Sequence, residues 1–223
     1  GDCGAEESAW QCGDPLAYQG YDYETVQIGE QCWFAENLRA ENYRNGDVIP
    51  AGLSGSEWAN TTLGATSVYN EDASNLEPSG RLYNWYALGD ARGICPSGWH
   101  VPTDAEWMDM EIALGMPESE AYSFGSRGDN QAIGTQMKTT NGWGGGGNGT
   151  NTSGFTGFPS GRRSYVGGTF ALLGSRSVWW SSSFSGSDNL RRTRGLGFNT
   201  EGVERYDGNL ASGNSVRCIK DAE

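Results

Sequence analysis

Cys95-Pro96-Ser97-Gly98-Trp99-His100-Val101-Pro102-Thr103-Asp104-Ala105-Glu106-Trp107 is the stretch whose reading decides the fold. It is read together with a distant one, Ser215-Val216-Arg217-Cys218-Ile219-Lys220-Asp221. Thr103 and Glu106 have the spacing of a capping box, in which each side chain satisfies a backbone N–H that the first helical turn leaves open. Pro102 precedes the cap, Asp104 and Glu106 suit the positive end of the helix dipole, and Gly115 supplies a stop after Leu114. Trp107, Met110 or Glu111, and Leu114 recur at helical spacing, so the helix carries an inward stripe with Trp107 in the core. The second stretch reads as a short strand.

Outward from these anchors, residues 21–28 are rich in Tyr, Thr, Val and Ile between two glycines and read as a strand. It is expected to pair with residues 215–219, which brings the two ends of the chain together. Residues 82–88 read as a short helix before a turn at Gly93, and residues 131–138 as a weaker one capped by Asp129. Residues 51–79 are polar, acidic and poorly periodic, and read as an excursion over the surface. After Gly154, short aromatic strands alternate with Gly and Ser turns. The glycine-rich run at 141–154 lacks both the Lys-Ser/Thr ending of a phosphate loop and a strand-to-helix setting. It reads as a loop anchored by Trp143, with Asn side chains bonding local backbone. Its Asn and carbonyl oxygens are ligands that calcium takes, which makes calcium the one cofactor the sequence admits.

The chain has 223 residues, 36% of them hydrophobic, with nine Trp and 35 Gly, enough for one core and too aromatic for disorder. No apolar run approaches the roughly 18 residues of a membrane span. The net charge of −13 is uneven: residues 1–129 carry 22 acidic and 5 basic side chains, residues 130–223 carry 6 and 10. This balance excludes a nucleic-acid partner, which needs a basic surface. Thirteen of the 15 cations are Arg, which either bind an anionic ligand or pair with the acidic half of the same domain. His100 is the only histidine, so a nucleophile–histidine pair has little support and no catalytic residue is assigned. The five cysteines include no C-x-x-C pair, which argues against zinc, and with only two Lys they fit an oxidising compartment.

Val26-Gln27-Ile28-Gly29-Glu30-Gln31-Cys32-Trp33-Phe34-Ala35-Glu36-Asn37-Leu38, Gly80-Arg81-Leu82-Tyr83-Asn84-Trp85-Tyr86, the 95–107 block, Ser153-Gly154-Phe155, Trp179-Trp180-Ser181-Ser182 and the 215–221 end resemble, in order, the Fibrobacter succinogenes major paralogous domain. That family is found on secreted and surface proteins of Bacteroidota. More remotely, the helix start and Val216-Arg217-Cys218 resemble the formylglycine-generating-enzyme branch of the C-type lectin-like fold. The resemblance implies an α+β, C-type lectin-like domain over residues 21–223, with short antiparallel strands, two or three helices and long loops, after a lead-in at 1–20.

It also implies a Cys95–Cys218 disulfide, because that fold closes its last strand onto the layer before the helix. Cys12 is then expected to pair with Cys32, leaving Cys3 over; the alternative is Cys3 with Cys12 and a free Cys32. The implied function is a secreted or cell-surface adhesion module for a glycan or protein ligand. Its ligand surface lies on loops and strand faces upstream of the last strand, drawing on Arg162, Arg163, Tyr165, Ser183, Arg191, Arg194, Asn199 and Tyr206. Two other readings are a structural subunit of an extracellular assembly and an oxidase of the formylglycine-generating kind. The oxidase needs closely placed cysteines, and Cys218 has no neighbouring one in sequence.

Overall fold

The computed structural model describes residues 10–222; Cys3 lies outside them. The domain is α+β, mostly sheet, with few and short helices.

β1 (Leu16–Tyr18) and β2 (Tyr21–Tyr23) form a hairpin closed by Gln19 and Gly20, both at positive φ, the geometry of a tight two-residue turn. β3 (Thr25–Ile28) folds back on β4 (Gln31–Phe34) across Gly29 and Glu30. A Cβ at Gly29 would come within 2.8 Å of Ala113, so only glycine lets this turn approach the central helix. There follow α1 (Gly55–Asn60), β5 (Thr66–Ser67), α2 (Leu76–Ser79), β6 (Leu82–Tyr83), α3 (Trp85–Leu88) and β7 (Trp99–His100). Next come α4 (Asp104–Ala113), α5 (Glu118–Ala121), β8 (Gly125–Arg127) and α6 (Ile133–Met137). The chain ends in β9 (Ser160–Arg163), β10 (Phe170–Leu173), β11 (Arg176–Phe184), β12 (Leu190–Gly197), β13 (Val203–Asn209) and β14 (Ile219–Lys220).

A six-stranded sheet runs β10-β9-β11-β12-β13-β8, and a four-stranded one β3-β4-β14-β7. The final strand therefore lies between β4 and β7, with Ile219 opposite both Trp33 and His100. The expected pairing of residues 21–28 with 215–219 is not formed. The turn at Gly29 inserts β4 between them, although both ends still share one sheet.

Side-chain alternation along strands divides the core in two. Phe34 packs with Tyr23, Tyr83, Trp99 and Trp180, while its neighbour Trp33 packs with Trp107, Trp179 and Phe155. Trp179 and Trp180 make the same division from β11. Trp33 and Trp107 approach to 4.9 Å between centroids, a tilted contact of the kind that adds to simple burial. α4 begins as read: the Thr103 hydroxyl accepts from Glu106 N–H, and the Glu106 carboxylate accepts from Thr103 N–H.

Both disulfides are present, Cys12–Cys32 and Cys95–Cys218. The described part of the lead-in packs on the core, with Trp10 edge-on to Trp99 at 5.8 Å. Residues 51–79 are not an open excursion. Trp58 of α1 is fully buried and donates to the Ala211 carbonyl, and residues 65–67 are buried as well. Residues 82–88 split into β6 and α3, with Asn84 as the cap. α6 starts from Ala132 at φ 51° with no side-chain cap; Asp129 instead accepts from Gly202 N–H, which ties α6's approach to β13. The glycine-rich loop is held as expected, Trp143 donating to Gly157 O and Asn148 accepting from Trp143 N–H.

Candidate functional site

Alternate residues of β11, β12 and β13 project to opposite faces of the large sheet. One face meets α4. There Arg194 donates to Asp104 (2.7 Å) and Glu111 (2.7 Å), Arg205 to Asp104 (2.6 Å), and Arg127 to Glu111 (2.6 Å). Burial alone would raise the Asp104 pKa, but Arg205 and Arg194 outweigh it and hold the carboxyl at about 2. The basic half of the chain is thus bound to the acidic half through the core.

The opposite face carries a groove of about 400 Å³. Arg176 and Val178, Thr193 and Gly195, Tyr206 and Gly208 supply its strands; Arg162, Phe124, Ser212 and Asn214 supply its walls. Phe124 and Tyr206, both exposed, meet edge to face at 5.5 Å and form an aromatic wall. The two glycines keep the floor open. A Cβ at Gly195 would press on the Glu204 carboxylate, and one at Gly208 on Trp180 and Thr193. Glu204 pairs with Arg176, so the cation lining the groove is already partnered, while Arg162 forms no ion pair among the described residues.

Only Arg162 and Tyr206 of the expected ligand surface come together here. Arg163 and Arg194 are corrected: both are buried and ion-paired, Arg163 with Glu71 and over the Trp58 ring, so neither faces a ligand. Ser183 accepts from Asp104 N–H and belongs to the start of α4. Arg191 lies over the Trp85 ring at 4.1 Å. Tyr165 sits in the exposed β9–β10 turn and Asn199 in the exposed turn after β12. The sequence reading missed Phe124, Thr193, Asn214 and the two floor glycines; glycine at alternate positions of aromatic strands was the available signal.

His100 is held on both sides, Nδ1 to Asp221 (2.6 Å) and Nε2 to Glu106 (2.8 Å). Its pKa is raised, first by Glu106 and then by Asp221, against the opposing effect of burial. No group of three or more His, Cys, Asp and Glu poised to hold a metal occurs among the described residues.

An α+β domain closed by two disulfides, with a polar and aromatic groove on the face of its main sheet opposite α4, is the class these features define. The chain matches the Fibrobacter succinogenes major domain over residues 26–220 and belongs to that family. Comparison with curated proteins and with solved structures returned no match.

Proposed function

We propose that the domain is a binding module of the secreted fraction or cell surface, and that it takes a glycan chain in the groove of the large sheet. The observation that carries this reading is the composition of the groove. An exposed aromatic wall gives a sugar's C–H face a partner, and the hydroxyl, amide and guanidinium groups of Ser212, Asn214 and Arg162 suit its hydroxyls. Two disulfides fit an oxidising location, and no described helix is long and apolar enough to cross a membrane. The finer fold reading, C-type lectin-like, is supported by the way β14 enters beside β4 and is tied by Cys218 to the turn before β7. Binding is favoured over oxidase chemistry because Cys95 and Cys218 are bonded to each other and buried.

The test is a glycan array with and without calcium, followed by calorimetry of the best ligand on Tyr206→Ala and Arg162→Ala. Each substitution is expected to weaken binding at least tenfold, about 1.4 kcal/mol, with the thermal midpoint unchanged. Undiminished affinity in both variants would remove the groove from the account. A second reading, an assembly subunit, rests on β10, one of the two edge strands of the large sheet, which carries exposed Leu172 and Leu173. Native mass that rises with concentration, and falls back in Leu173→Lys, would favour it.

A further inference from the structure

Four arginines are buried to within 2% of full burial: Arg127, Arg163, Arg194 and Arg217. Three have a carboxylate partner, Glu111 for Arg127, Glu71 for Arg163, and Asp104 with Glu111 for Arg194. Arg217 forms no ion pair among the described residues. It is held by neutral acceptors: Nε donates to Asn37 Oδ1 (2.8 Å), Nη1 to Phe34 O (2.9 Å) and Phe155 O (2.6 Å), and Nη2 to Thr156 O (3.0 Å). These bonds use four of its five N–H groups. The second Nη2 hydrogen has no acceptor among the described residues. Burial works against the charged form, and Glu36 nearby offsets only part of that.

This cation is part of the lining of a cleft of about 440 Å³ that is separate from the groove, and within the range of small-ligand sites. The cleft's wall is unusual in its backbone. Asn151 and Thr156 both stand at positive φ, 50° and 53°, conformations costly for Asn and more so for a β-branched residue. They hold each other there, Asn151 Oδ1 accepting from Thr156 N–H at 2.8 Å, and the result aims the Thr156 carbonyl at Arg217. Thr140 and Asn141 add hydroxyl and amide groups, and Tyr21 and Phe158 add aromatic faces. Two carboxylates share the lining: Glu36 is engaged by Arg39 (2.9 Å) and the Tyr21 hydroxyl (2.8 Å), while exposed Glu77 forms no ion pair among the described residues.

We propose that this cleft is a second ligand site, for the carboxylate of an acidic sugar, with Arg217 supplying the counter-charge and Thr140 and Asn141 the groups that meet the sugar's hydroxyls. Arg217 has no solvent exposure, so it acts on the carboxylate through its charge and not by direct contact. The proposal does not rest on the groove or its ligand.

The experiment is calorimetry and thermal shift on the native domain with methyl glucuronide, methyl glucoside and acetate. The two sugars differ only in carboxylate against hydroxymethyl. Methyl glucuronide is expected to bind at least tenfold more tightly than methyl glucoside and to raise the thermal midpoint alone. Asn141→Ala is expected to weaken the glucuronide several-fold and acetate not at all, and Tyr206→Ala to change neither. Arg217→Met is expected to abolish the preference; should it fail to fold, the native-domain comparison and Asn141→Ala still decide. Equal affinity for the two sugars, or no binding of either, would overturn the carboxylate site. Acetate binding as tightly as the glucuronide would overturn its assignment to a sugar.

Discussion

Glu111 sits without solvent exposure between Arg127 and Arg194, and its loss leaves two buried guanidiniums short of a counter-charge. Removing one partner of such a network costs about 3–5 kcal/mol, so Glu111→Ala is expected to lower unfolding free energy by that order, read by chemical denaturation. His100 makes a pH-dependent contribution whose sign follows from its raised pKa. A folded pKa above the unfolded value of about 6.5 means the protonated form is favoured by folding. That stability is fully present below about pH 6.5 and is lost as pH rises through the folded value. Denaturation midpoints measured from pH 5 to 9 are expected to fall over the upper part of this range, and to fall less in His100→Gln. An identical profile in the variant would show that the Glu106 and Asp221 contacts contribute nothing. Neither residue's role was legible in sequence. Glu111 appeared only as one candidate for the inward stripe of a helix, because its partners come from β8 and from a strand 83 positions away.

At the scale of elements, α4 was the most legible piece, since a capping box, a dipole-matched first turn and a glycine stop all act within a few residues of one another. Thr103→Ala is expected to cost about 1 kcal/mol, seen as a lowered unfolding midpoint with ligand affinity unchanged. The neighbour of β14 was not legible, because strand order is set by tertiary packing and not by the pattern of either strand. Residues 51–79 were misread because their polarity is genuine, while what pins them, Trp58 beneath residues 211–213 and Glu71 to Arg163, lies far along the chain. The Cys95–Cys218 bond closes a separation of 123 residues. Replacing both cysteines by Ala is expected to cost up to about 4–5 kcal/mol in the chain-entropy model. A variant with undiminished stability would show that the packing of Trp99, Val216 and Ile219 suffices without it.

Across the whole molecule, the uneven charge of the sequence is in part an internal match. From the basic half Arg194 and Arg205 reach α4 and Arg163 reaches Glu71, while Arg176 and Arg192 pair within their own half. The ligand surface read from the sequence drew on arginines as a class, and the fold separates them by strand parity: Arg194 faces the helix, while Arg162 faces the groove. A triple Arg191, Arg192 and Arg194→Glu variant is therefore expected to lose stability through Arg194, whatever it does to binding. The central claim concerns the opposite face of the same strands. Amide chemical shifts of the native domain, titrated with the glycan the array selects, test it most directly. The account predicts the largest changes at Thr193, Gly195, Tyr206, Gly208 and Asn214. Changes confined to the Tyr165, Asn199 or Arg191 regions, with the groove amides unmoved, would contradict it.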